Sequence, residues 1–290
     1  MASQVPKISF EEYAKNLTLH PAVINGQQIK QDAEERHHRI LNCIVTQSIS
    51  GPTLDAACGS AIFYPSLLKY MPQMMPYSVS DLVEHDIVYG GQKIECHRFE
   101  CEKTILPVPD QSMGCVMFCD VIEHLLVDPI WTILEFNRVL RKGGHLIIST
   151  PNACHLRRVI HLLHGLNSAT ENHYKPTSLY QRHNREWTVD EINTLMAVSG
   201  FEPVVYSTHH YLLNDVERAL FSLFQETKLV KYDQNYYGPE IFYLAKKSKH
   251  KTLESVTDID ERWPSWLYTH HSTYRRRPEV FPVILGKDYG

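Results

Sequence analysis

Asp120, Glu123 and His124 fall within five residues, just after an apolar run from Gly114 to Cys119 that reads as a strand. In an open parallel sheet the carboxyl end of a strand is the rim where ligands bind. An imidazole that is neutral near pH 7 is a sink for a proton, which makes His124 a candidate general base. A second constellation is Leu54-Asp55-Ala56-Ala57-Cys58-Gly59-Ser60-Ala61, an acid at a strand end followed by small residues that lead into a helix. Small residues at such a turn let the backbone approach a ligand closely. Asp81 lies 22 residues beyond Gly59, the separation at which a nucleotide fold places the carboxylate that accepts from ribose hydroxyls. The chain has neither GxGxxG nor GxxxxGK[ST], so the usual cradles for a dinucleotide or a triphosphate are missing. The expected ligand is a nucleoside without a polyphosphate.

These residues need a scaffold of strands that end on one rim. From Thr53 onward short apolar runs alternate with helical segments, the pattern of strand-helix-strand units and a mostly parallel sheet. Strands are expected at Thr53–Ala56, Tyr77–Ser80, Ile94–Phe99, Gly114–Cys119 and His145–Thr150, and a last pair at Glu202–Thr208 and Glu240–Ala245. A helix over Phe63–Tyr70 is closed by Met71-Pro72. Asp128-Pro129 supplies an N-cap and a first-turn proline for a helix that Gly143-Gly144 should stop. Thr188-Val189-Asp190-Glu191 is a capping box that opens another. Residues 1–50 read as an N-terminal helical appendage, with a helix over Gln28–Val45, and residues 151–187 as an insertion over the sheet edge. The fold class is therefore α/β, Rossmann-like and doubly wound, with a C-terminal tail over 248–290.

Composition narrows the function classes. The 290 residues hold 29 Lys+Arg against 33 Asp+Glu, a net charge of −4, with 43% hydrophobic residues. Such a chain folds as one large or two small globular domains, and its charge offers no long-range attraction to polyphosphate. No run approaches the roughly 18 apolar residues of a membrane span, and the first residues lack the pattern of an export signal. Seven cysteines, an odd number with no CxxC pair, read as reduced thiols in a cytoplasm.

Together these motifs resemble the class I S-adenosylmethionine-dependent methyltransferases, in particular the branch of ubiquinone-biosynthesis, sugar and natural-product O-methyltransferases, over about residues 50–247. The turn at Asp55 is similar to that family's D-x-G-x-G-x-G, with Ala57 and Ala61 in place of the outer glycines. Leu106-Pro107-Val108-Pro109-Asp110 resembles L-P-F-P-D, Phe118 to Leu125 resembles x-x-D-V-L-E-H-L, and Arg138 to Gly144 resembles R-V-L-K-P-G-G. The resemblance implies a seven-stranded sheet and S-adenosylmethionine held by Asp55, Ala57, Cys58, Gly59, Asp81, Glu100, Cys101, Asp120 and Val121. Glu100 and Cys101 would approach the adenine. The N-terminal region around Tyr13 and Arg36-His37 would form a lid over the cofactor.

The implied reaction is transfer of a methyl group to a hydroxyl, or an amine, of a small metabolite, with His124, Glu123 and His183 as candidate catalytic residues. His183-Asn184-Arg185-Glu186-Trp187-Thr188 has two resemblances. It is similar to the R-H-x-R-E-[YF]-T segment of bacterial sugar-type methyltransferases, which implies a substrate-side role. It is also similar to a segment of small-RNA 3′-end 2′-O-methyltransferases, where a histidine and an acid-x-x-Glu-His element hold a divalent ion. A divalent metal is not expected here, but metal-assisted RNA 3′-end 2′-O-methylation is the first alternative, and a non-catalytic cofactor-binding subunit or regulator the second. His155, Arg157, Arg158, His161, His164, His173 and Tyr174 are further pocket candidates within the insertion. The expected partner is a small-molecule acceptor rather than a nucleic acid or a membrane, and the sequence is silent on oligomeric state.

Overall fold

The computed structural model describes residues 8–17, 31–47, 49–59, 61–83, 86–89, 92–167, 180, 182–209, 215–232 and 236–251. Ser60, His173, Tyr174 and the tail beyond residue 251 lie outside them, as does the side chain of Arg36.

Eight strands form one sheet in the order β3-β4-β2-β1-β5-β6-β8-β7. They are β1 (Thr53–Ala56), β2 (Tyr77–Asp81), β3 (Asp86–Tyr89), β4 (Gln92–Arg98), β5 (Met113–Cys119), β6 (Leu140–Pro151), β7 (Phe201–His209) and β8 (Glu240–Lys247). Strands β4, β2, β1, β5 and β6 run parallel, and β8 is antiparallel to both β6 and β7. This is the expected seven-stranded doubly wound sheet with β3 added on its edge, antiparallel to β4. The sequence reading missed β3, although Gly90-Gly91 between two β-prone runs is a hairpin signal.

Strand alternation sends side chains to two faces. Cys115 and Met117 of β5 join Ile147 of β6 under helix α2 (Gln31–Thr46), which buries Ile40, Leu41 and Ile44 there. Helices α1 (Phe10–Leu17) and α3 (Tyr64–Tyr70) contact each other on the same side, with Tyr13 and Leu67 buried. Val116 and Phe118 face the other way, with Leu146 and Ile148, toward α4 (Pro129–Val139) and α6 (Val189–Val198). Helix α5 (Leu156–Leu163) lies within the predicted insertion, and α7 (Asp215–Glu226) precedes β8.

Local signals explain the helix starts. Asp128 accepts from the N–H groups of Ile130 and Trp131, and Pro129 fills the first turn of α4, where no donor is needed. Thr188 and Glu191 form the reciprocal capping box of α6. The stop expected at Gly143-Gly144 is corrected by the structure: α4 ends at Val139 and the chain enters β6 at Leu140. Pairing with β5 jumps from Leu140 to His145, so the glycines serve a bulge, with Gly143 at φ 75°.

Candidate functional site

The turn after β1 adopts the backbone that its small residues favour. Ala57, Gly59 and Ala61 have φ of 58°, 53° and 53°, all in the left-handed region. The two alanines thus stand in the conformation that glycine takes without strain. Cys58 N–H donates to Ser80 O at 3.0 Å, and Gly59 N–H donates to Asp81 Oδ2 at 2.8 Å, so the acid at the end of β2 also holds the turn. A Cβ built on Gly59 would meet no atom within 4 Å, which leaves the turn an open approach.

Asp55 is only 4% exposed and accepts from the Tyr77 hydroxyl. Burial raises its pKa from 3.8 to about 7, against the lowering effect of that hydrogen bond. The Cys58 thiol is pushed up, chiefly by burial and then by Asp55. Glu100 lies beyond β4, where Arg98 at 2.6 Å and Lys103 at 3.4 Å hold its carboxylate below the usual range. Cys101 is buried, and its carbonyl accepts from the Thr132 hydroxyl at 2.8 Å.

Asp120 follows β5 with φ 57° and is fixed at both ends, its N–H on Ser149 O and its Oδ1 accepting from Ser149 Oγ, each at 2.9 Å. Val121 packs on the core and precedes a single 3-10 turn over Ile122–His124. That turn aims two of the three cluster side chains. Glu123 is 1% exposed, and its Oε2 accepts from Thr150 Oγ1 at 2.9 Å. His124 Nδ1 lies 2.9 Å from Arg182 O. A carbonyl only accepts, so Nδ1 carries a proton; in the neutral ring the lone pair is then on Nε2, 3.8 Å from Glu123 Oε1.

His183 completes the group. Its ring centre is 4.9 Å from that of His124, edge to face, and Nδ1 is 3.1 Å from Glu186 Oε1. One ligand-capable atom from each of Glu123, His124 and His183 lies within 4.8 Å of the other two. The segment is docked by backbone bonds: Asn184 and Arg185 N–H donate to Glu123 O at 2.7 and 3.2 Å, and Asn184 Nδ2 donates to His124 O at 2.8 Å. Trp187, 2% exposed, packs beneath and donates to Ile122 O.

Strands β1 and β5 are neighbours, so the small-residue turn and the cluster share one rim. Arg157 pairs with Glu217 of α7 at 2.8 Å, and His161 and His164 are exposed on and just after α5. The His155 ring is lowered to about 4, mainly by burial and then by Arg158 and Arg157. Tyr13 is buried between α1 and α2, and the His37 ring meets Phe63 edge to face at 5.1 Å. The sequence reading did not assign roles to Ser149, Thr150 and Glu186, which hold Asp120, Glu123 and His183; only the Glu186 segment carried a signal. Glu102 was missed as well: its buried carboxylate accepts from the N–H groups of Leu126, Val127 and Asp128, each at 2.7 Å, and anchors the chain that leaves the cluster.

A family profile described as "Methyltransferase domain" matches residues 27–206. The chain belongs to this methyltransferase-domain family. A probable S-adenosylmethionine-dependent methyltransferase of Mycobacterium tuberculosis is 25% identical over 195 residues, 64% of this chain and 65% of that protein. A second, from Mycolicibacterium smegmatis, is 35% identical over 97 residues, 33% of this chain and 32% of that protein. The chain thus aligns with slightly less than two thirds of the length of the first relative. Among solved structures, a SAM dependent methyltransferase from Archaeoglobus fulgidus matches with a TM-score of 0.51 at 16% identity, over 74% of this chain and 94% of that one. That similarity is one of fold. Among the described residues no helix is long and apolar enough to cross a membrane.

Proposed function

We propose that this chain is an S-adenosylmethionine-dependent methyltransferase acting on a hydroxyl of a small acceptor. The observation that carries the reading is the shared rim, where the Asp81-held turn of β1 adjoins the Glu123, His124 and His183 cluster after β5. The turn fits a nucleoside cofactor: Gly59 has open space above it and acids stand at the ends of β1 and β2. When bound, S-adenosylmethionine supplies an electrophilic methyl group on a sulfonium.

The chain's own residues then handle the acceptor. His124, with its Nδ1 proton directed at Arg182 O, offers the Nε2 lone pair to the hydroxyl proton. The buried Glu123 carboxylate beside Nε2 stabilises the imidazolium that forms. Ser149 keeps Asp120 at the boundary between turn and cluster. Positioning supplies much of the rate in such a displacement, so an amine acceptor fits the same rim.

The test is calorimetric titration with S-adenosylhomocysteine, with Asp81→Asn as the comparison. One-to-one binding that weakens in the variant supports the reading. No binding by folded wild-type protein overturns it. A second reading, transfer assisted by a divalent cation, is favoured by one observation: a carboxylate and two imidazoles within 4.8 Å suit a mid-row ion. Titration with Co2+ distinguishes the two readings, since a ligand-field spectrum that His183→Ala abolishes supports the metal and a featureless titration removes it.

A further inference from the structure

Glu186 stands between His183 and Arg158, the latter a pocket candidate of the insertion. The Glu186 carboxylate is divided: Oε1 meets His183 Nδ1 at 3.1 Å, and Oε2 is taken by Arg158 Nη1. All three side chains are largely enclosed, with 12–15% of their surface exposed. Arg158 belongs to α5, and its neighbour Arg157 pairs with the buried Glu217 of α7. Two adjacent arginines of one helix therefore tie the rim on one side and a second helix on the other.

A carboxylate only accepts, so a neutral His183 ring beside it must carry its proton on Nδ1. The lone pair is then on Nε2. Arg158 fixes the carboxylate through the opposite oxygen, so Glu186 cannot turn away from the ring without breaking an ion pair. We infer that Glu186, braced by Arg158, is a positioning residue that sets the tautomer of His183 and makes Nε2 a second proton-accepting nitrogen of the rim, beside Nε2 of His124. Its relevance to transfer rests on the methyltransferase reading; the tautomer itself does not. The arrangement also links helix α5 to the site through Arg158 and Glu186.

The experiment reads the ring nitrogens directly. Wild-type protein, Glu186→Ala, Glu186→Gln and Arg158→Met are labelled with 15N-histidine and examined at pH 8 in the presence of chelator, with His183→Gln to assign the resonances. The wild type should show His183 in the Nδ1–H form. Glu186→Ala should move it to the Nε2–H form or to an exchanging mixture, and Glu186→Gln, whose amide oxygen still accepts, should recover part of the Nδ1–H population. Arg158→Met should broaden the signal without a full switch. His183 remaining in the Nδ1–H form in folded Glu186→Ala overturns the inference, and so does an Nε2–H form in the wild type. Titration of the same samples with S-adenosylhomocysteine keeps the two questions apart: absent binding refutes the methyltransferase reading whatever the ring shows, and a wrong ring signature refutes the positioning role whatever binds.

Discussion

Replacing Asp55 with Asn changes one oxygen and should change how stability depends on pH. Asp55 is buried beside Tyr77 with its pKa raised from 3.8 to about 7, burial being the largest cause. The sign follows from linkage. The folded state holds this proton more tightly than the unfolded chain, so the group's contribution is fully present below about pH 4 and is lost as pH rises through 7. A rise from 3.8 to about 7 corresponds to roughly 4 kcal/mol in all, of which about 2–3 kcal/mol falls between pH 5 and pH 8. Asn removes the titration and retains an oxygen that accepts from the Tyr77 hydroxyl. Urea unfolding of the ligand-free protein at pH 5 and pH 8 is the assay. The wild type should lose about 2–3 kcal/mol more than Asp55→Asn over this interval. Parallel stability curves for the two proteins would refute the reasoning, because they would mean that Asp55 is ionised in the folded state at no cost.

Three further outcomes are expected. Glu102→Gln turns an amide donor toward a backbone donor, since Oε1 accepts from Val127 and Asp128 and Oε2 from Leu126; chemical denaturation should show a loss of about 1–3 kcal/mol. Ala57→Gly relieves a left-handed alanine but loosens the unfolded chain, so the melting temperature should hold or rise, with a gain of at most about 1 kcal/mol. A fall of more than that would contradict the strain assigned to the turn. Thr188→Ala removes one half of the capping box and should cost about 1 kcal/mol in the same denaturation assay.

The parts of the fold legible in the sequence are those fixed by local chemistry. Asp128-Pro129 and the box at Thr188 and Glu191 specify their helix starts within a few residues, because each satisfies orphan N–H groups from its own neighbourhood. The short apolar runs within Gly114–Cys119 and His145–Thr150 mark strands buried on both faces. What escaped depends on distant partners. Gly143-Gly144 looks like a helix stop until the pairing of β6 with β5 turns it into a bulge. The same distinction holds at the site. His124, Glu123 and His183 were named from motifs, but the residues that aim them come from β6, from 182–186 and from α5, separated by up to 58 residues in sequence. Spacing along the chain carries no record of such contacts.

The anchoring explains why the rim divides into two halves that can be perturbed separately. The turn of β1 is held by Asp81 and Ser80, both on β2. The cluster is held from the other direction, by Ser149 and Thr150 at the end of β6, by the backbone at Arg182, Asn184 and Arg185, and by Glu102 below. Among the described residues the two sets thus draw on different strands, with Asp120 and its left-handed backbone between them. A substitution that empties the cluster, such as His124→Ala, should therefore leave S-adenosylhomocysteine affinity within a factor of a few, whereas Asp81→Asn disturbs the turn directly. If His124→Ala weakened nucleoside binding as strongly as Asp81→Asn, the two halves would have to share support that these contacts do not provide, and the division of labour along the rim would be wrong.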